Sequence, residues 1–123
     1  MRVTQQGYDI EAWIKEKFKG NNHPNNAIDF QTENRYYEVK SCNLFNKNGE
    51  TAQMGRFWID NSNHLCLNKL AKRDKKSPYY IFVIVIGKKK IWKIVHWKNV
   101  IIRDDQAHTY IRLKDIFSQE DKL

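Results

Sequence analysis

The run YYIFVIVI, Tyr79 to Ile86, is the feature that most limits the folds open to this chain. It is far shorter than the ~20 apolar residues a membrane-spanning helix needs, and it has no polar alternation. Such a run fits a strand covered on both faces, as at the centre of an α/β sheet. Pro78 leads into it, and GKKK turns it into a partner strand, IWKIVHW. With 123 residues, 41% of them hydrophobic, the chain has the material for one core and reads as a single domain, residues 1–123.

The other elements follow from spacing. Ile10, Trp13, Ile14 and Phe18 lie on one helical stripe, so Tyr8 to Phe18 is expected to be a helix, stopped by Gly20-Asn21-Asn22. NNHPNN reads as a loop. Ala27 to Ser41 reads as a hairpin, with Glu33-Asn34 as its turn. Asn43 to Gly55 is polar, and its Asn48-Gly49 fits either a second hairpin or a mobile loop. Arg56 to Ile59 is a short strand. Asp60 to Asn63 then offers N-caps for a helix to about Arg73, with Leu67, Leu70 and Ala71 inward. Beyond the IWKIVHW strand, Val100 to Arg103 is β-like and YIRLKDIF reads as strand then helix. The sum is an α/β sandwich around one sheet.

Lys and Arg number 22 against 14 Asp and Glu, a net charge of +8. That excess suits a polyanionic partner, nucleic acid before a membrane surface, although solubility alone accounts for it equally well. Cys42 and Cys66 are far apart and lack the spacing of zinc ligands, which points to a reduced, cytoplasmic protein. The opening MRVTQQGYDI has no apolar core of a signal peptide. Nothing in the chain calls for a membrane or an organic cofactor.

The hairpin AIDFQTENRYYEVKS poses the chemical question. A two-residue turn makes positions summing to 67 face one another, so Asp29 faces Glu38, and Lys40 shares their side. Direct cross-strand neighbours have Cβ atoms about 4.5–5.5 Å apart, and like charges facing there are destabilising. Lys40 offsets one charge at the edge. A divalent cation, Mg²⁺ or Mn²⁺, would offset both, with the backbone carbonyl of Val39 as a further oxygen ligand. The plainer alternative is an exposed hairpin face on which Glu38 and Lys40 pair with their neighbours.

Ile28-Asp29 followed by Glu38-Val39-Lys40 across a hairpin resembles the signature of the PD-(D/E)XK nuclease superfamily. The likeness runs from about Gly7 to Ile86. Within the superfamily, Gly7-x-x-x-Glu11 followed by the hairpin is most similar to archaeal Holliday-junction resolvases and small type II restriction endonucleases. The resemblance implies a restriction-endonuclease-like core, a mixed central sheet flanked by helices (αβββαβ-type). It also implies a Mg²⁺- or Mn²⁺-dependent DNA endonuclease. Asp29 and Glu38 would hold the metal, and Lys40 would orient or deprotonate a water or stabilise developing charge. Two departures are visible: Ile28 replaces the proline of the name, and only NNHPNN and Ala27 stand where a strand usually precedes the Asp-bearing one.

Several residues carry two readings. Glu11, at the edge of its helical stripe, is either an additional ligand or a surface partner of Lys15. His64 shares the Leu67 stripe and is either packed or catalytic. Ser41 is a candidate for a phosphate or site water. Lys69, Lys72, Arg73 and Lys76 form a basic stripe, with Lys75 and Lys88-Lys89-Lys90 nearby and Lys47 and Arg56 flanking the segment after the motif. These are either phosphate contacts or a solvated face. Trp92 and Trp97 read as core or interface aromatics. One motif per chain and two strands to cut imply a homodimer. A structure-selective, junction-resolvase-like enzyme is the leading expectation. A type II restriction endonuclease and a non-catalytic nucleic-acid-binding module are its rivals.

Overall fold

The computed structural model describes residues 5–48 and 51–117. Helix α1 (Gln5–Lys17) is followed by β1 (Phe30–Gln31), β2 (Arg35–Asn43), β3 (Phe45–Asn48), β4 (Thr51–Met54) and β5 (Arg56–Asp60). Then come α2 (Asn61–Asp74), β6 (Ser77–Ile86), β7 (Lys89–His96), a 3-10 turn at Trp97–Asn99, β8 (His108–Arg112) and the short α3 (Leu113–Ile116). A four-stranded sheet has the order β1-β2-β6-β7. The β2/β6 pair is parallel, and both outer pairs are antiparallel. The architecture is therefore α/β with a mixed sheet and helices on its faces.

Strand β6 is covered on both sides, which explains its unbroken apolar run. Tyr80, Phe82 and Ile84 enter one core with Phe57, Ile59, Leu67, Leu70 and Ile111. Ile81, Val83 and Val85 enter the other with Ile10, Ile14, Phe30 and Tyr37. A fully buried aliphatic side chain contributes about 1.5–3 kcal/mol, so β6 anchors the fold from both faces.

Helix α2 starts at Asp60, whose side chain accepts hydrogen bonds from the Ser62 and Asn63 amides, and ends at Lys75 in the left-handed region. The segment Asn43–Gly55 contains the β3/β4 hairpin rather than a structureless loop. Gly55 closes it: a Cβ there would lie 1.9 Å from the Asn43 carbonyl oxygen, so only glycine lets β5 start this close to β2. Strand β5 then pairs with β8 as a separate two-stranded ribbon.

Three expectations need correction, the first being the single sheet: the described strands form one four-stranded sheet and two two-stranded ones. Val100 to Arg103 forms no strand; the Val100 amide bonds to the Trp97 carbonyl and the Arg103 amide to Thr109 Oγ1, so the backbone donors at its ends go to a turn and a side chain. The turn after β6 is only Gly87-Lys88, with Gly87 at φ +58°, so Lys89 and Lys90 belong to β7. No described helix is long and apolar enough to cross a membrane.

Candidate active site

The hairpin register is the one the turn dictates. Phe30 pairs with Tyr37 and Gln31 with Tyr36, and the Thr32 amide bonds to the Arg35 carbonyl across Glu33-Asn34. The strand expected before Asp29 is reduced to one antiparallel bridge, Asn21 to Gln31. Short local bonds hold the intervening loop: the Asn25 amide donates to His23 Nδ1 and the Ala27 amide to Asn25 Oδ1.

Asp29 immediately precedes β1. Its amide donates to the Tyr37 carbonyl at 2.8 Å, one residue out of the Phe30–Tyr37 register, so the ladder shifts at this point. Its Oδ2 accepts the Val39 amide at 2.6 Å, so the carboxylate takes the place a further β1 residue would occupy. Within a strand the N–H and C=O of one residue point to the same side, so the Val39 carbonyl is directed towards this edge too.

Glu38 is the buried member of the set, 4% exposed. Its Oε1 pairs with the Lys40 ammonium at 3.2 Å. Its Oε2 is buried with no hydrogen-bond partner among the described residues. An orphaned carboxylate oxygen costs on the order of 1–3 kcal/mol or more, so this position carries an unmet demand for a proton or a cation. Burial pushes the Glu38 carboxyl up to about 7, against the pull of Lys40 and with the charges of Asp29 and Asp60 adding to the rise. Asp29 is raised as well, mainly by burial.

Glu11, on α1, belongs to the same group. Its carboxyl is pushed up to about 7 by burial and then by the charge of Asp29, while Lys15 and Lys40 draw it down. The Lys15 ammonium itself bonds to Asn22 Oδ1. Asp60, on β5, feels the same groups electrostatically: hydrogen bonds from Ser62 hold its pKa below the usual range, and Lys40 contributes.

Two further side chains stand behind Glu38. Tyr80 is its neighbour on β6; burial raises the phenol pKa, and the charges of Glu38 and Asp29 and the approach of the Glu38 carboxylate to the phenol add to the rise. The Tyr80 hydroxyl lies 2.7 Å from His64 Nδ1. His64 is 2% exposed and stacked on Trp97 at 4.5 Å between ring centroids, with burial lowering its pKa to about 4. It is a packed, neutral imidazole, and its backbone carbonyl accepts the Trp97 indole N–H at 2.7 Å. Trp92, edge-on to Phe18 at 5.4 Å, is likewise a packing aromatic.

The remaining candidates divide. Ser41 pairs with Val83, whose side chain enters the α1 core, so strand alternation puts Ser41 on the opposite face from Glu38 and Lys40. It is not part of this site. Lys69, Lys72 and Arg73 are exposed along α2, whereas the cations acting on the three carboxyls are Lys40 and Lys15. Arg73 bonds to Asp74, and the Lys76 ammonium bonds to the Glu33 carbonyl at the hairpin turn. Arg56 lies over the Tyr110 ring at 4.2 Å. The Lys47 side chain lies outside the described residues.

No group of three or more His, Cys, Asp or Glu side chains arranged to hold a metal occurs among the described residues. The oxygens on offer at this edge, the Asp29 and Glu38 carboxylates and the Val39 carbonyl, are all hard donors. Such a set suits Mg²⁺ or Mn²⁺, which keep several waters, better than an ion that needs a full protein cage. Tyr80 and Asp60 were missing from the sequence-level site. A tyrosine in an otherwise aliphatic, doubly covered strand was the available signal, because a buried hydroxyl needs a partner. No family model matches the chain, and no curated protein does.

Proposed function

We propose that this chain is a metal-dependent DNA endonuclease with a restriction-endonuclease-like core, acting on branched or otherwise structured DNA. The observation that carries the reading is the coupled trio of Asp29, Glu38 and Lys40, with a buried, unpartnered Glu38 oxygen at its centre. A fold that needed only packing would place an apolar residue there. The net charge of +8 fits a polyanionic substrate.

Asp29, Glu38 and the Val39 carbonyl would hold Mg²⁺ or Mn²⁺. Once bound, such an ion polarises a phosphate oxygen and lowers the pKa of a water. Lys40 brings a fixed positive charge to the edge where the scissile phosphate would lie. The Val39 amide fixes the Asp29 carboxylate, so this group needs little reordering to act. Glu11 adds a third carboxyl from the α1 side. Two copies, each with one site, would cut two strands.

The test is a cleavage panel of four-way junctions, flaps and plain duplex with Mg²⁺ or Mn²⁺. The expected result is metal-dependent cutting of branched DNA that Asp29→Ala removes. Cutting of plain duplex at a defined sequence would favour a restriction enzyme of the same fold. Binding without cutting of any DNA would leave a nucleic-acid-binding module.

A further inference from the structure

Strand alternation gives the β5–β8 ribbon two unlike faces. Phe57, Ile59 and Ile111 point into the core. The opposite face carries Arg56, Trp58 and Asp60 from β5 against Arg112, Tyr110 and His108 from β8, in direct register. Trp58 and His108 have ring centroids 5.4 Å apart with planes tilted by 32°. His108 and Tyr110 are edge-on at 5.4 Å. Arg56 lies over Tyr110 at 4.2 Å, and Tyr110 is 48% exposed. Three aromatic rings and two guanidinium groups thus form one continuous outward strip. Asp60 and Asp115 are its acidic neighbours; Asp60 caps α2 and Asp115 pairs with Arg112 at 3.4 Å.

The strip also has a direction. Strand β5 packs along β2, and its Asp60 end meets the site, where Asp60 acts on both Lys40 and Glu38. From Asp60 to Arg56 a strand rises roughly 13 Å, which spans about four nucleotides at a stacked rise of ~3.4 Å. Rings interleaved with cations match what unpaired bases and their phosphates require, because every base has a face to stack and every linkage has a charge to neutralise. A duplex hides its base faces and gains little from such a strip.

We propose that the outer face of the β5–β8 ribbon is a stacking platform for an unpaired DNA strand leading into the carboxylate site. This rests on the endonuclease reading and narrows its substrate to DNA with a single-stranded segment beside the cut. Trp58 and Tyr110 stack bases, and Arg56 and Arg112 contact phosphates.

The test is fluorescence anisotropy of the full chain without divalent cations, so that binding is read apart from cleavage. The probes are a labelled oligo-dT, a blunt duplex and a duplex with a short flap. Tyr110→Ser is expected to weaken oligo-dT and flap binding about tenfold and to leave blunt-duplex binding within about twofold. Arg56→Gln is expected to act in the same direction and to flatten the salt dependence. Circular dichroism identifies any variant that does not fold, and Arg56→Gln, at an exposed position, decides the question if Tyr110→Ser is such a variant. Equal loss on all three probes, or no loss on any, overturns the platform. So does a change in oligomeric state with DNA binding intact, which would make the strip a contact between copies. An RNA strand bound about tenfold more tightly than oligo-dT overturns the assignment to DNA. If the unpaired-strand preference stands while no DNA is cut with Mg²⁺ or Mn²⁺, the platform survives and the endonuclease reading falls.

Discussion

Strands β2 and β6 carry two unlike faces on one backbone. Towards α1 they present Tyr37, Val39, Ile81 and Val83, which meet an almost wholly apolar partner. On the other face, Glu38 and Lys40 sit beside Tyr80 and His64, with a buried ion pair and an unpartnered oxygen. The difference arises from alternation alone. One strand pair thus carries both a packing face and a polar face, and the polar set lies where the chain has not yet entered β1.

The comparison separates activity from stability. Asp29→Ala should lower metal-dependent cleavage on the order of 10²–10³-fold with little loss of fold, measured as initial rates beside a melting curve. Ile81→Ala, on the other face, should do the reverse. It should cost about 3 kcal/mol in urea unfolding, while the folded fraction keeps its cleavage rate. If both variants lost activity and stability together, the two faces would not be separable.

A finer test uses pH. The Glu38 carboxyl is raised from 4.5 to about 7 in the folded chain, so its neutral form is favoured by folding. Its contribution to stability is present below 4.5 and is lost as pH rises through 7. Without divalent cations, Glu38→Gln should match wild type near pH 4 and exceed it at pH 8 by on the order of 3 kcal/mol. A gap independent of pH would show that Glu38 is not the strained group. The smallest effect is expected at the cap: Asp60→Ala should cost about 1 kcal/mol, with Ser62 and Asn63 amides exchanging faster with solvent.

Much of this was legible because local rules acted alone. A two-residue turn sets the hairpin register, so Phe30 facing Tyr37 and Gln31 facing Tyr36 followed from counting. The central strand followed from a run with no polar side. Parity of position carries Ser41 as well: an odd residue on a strand whose site side chains are even points to the other face. The rest depended on long-range pairing. Nothing in RFWID names HTYIR as its partner, fifty-two positions on (Arg56 to His108), so the ribbon and its aromatic strip were invisible. The single bridge at Asn21 needed the loop geometry around Asn25 before it could be placed.

Calorimetric titration of the protein with Mn²⁺ at pH 7, in two buffers of different ionisation enthalpy, tests the central claim most directly. If Asp29 and Glu38 share one cation, about one ion binds per chain and protons are released, because carboxyls raised by burial must ionise to hold it. Asp29→Asn and Glu38→Gln should each abolish that heat. Binding heats left unchanged by both substitutions, or no binding to the wild-type chain, would contradict the account.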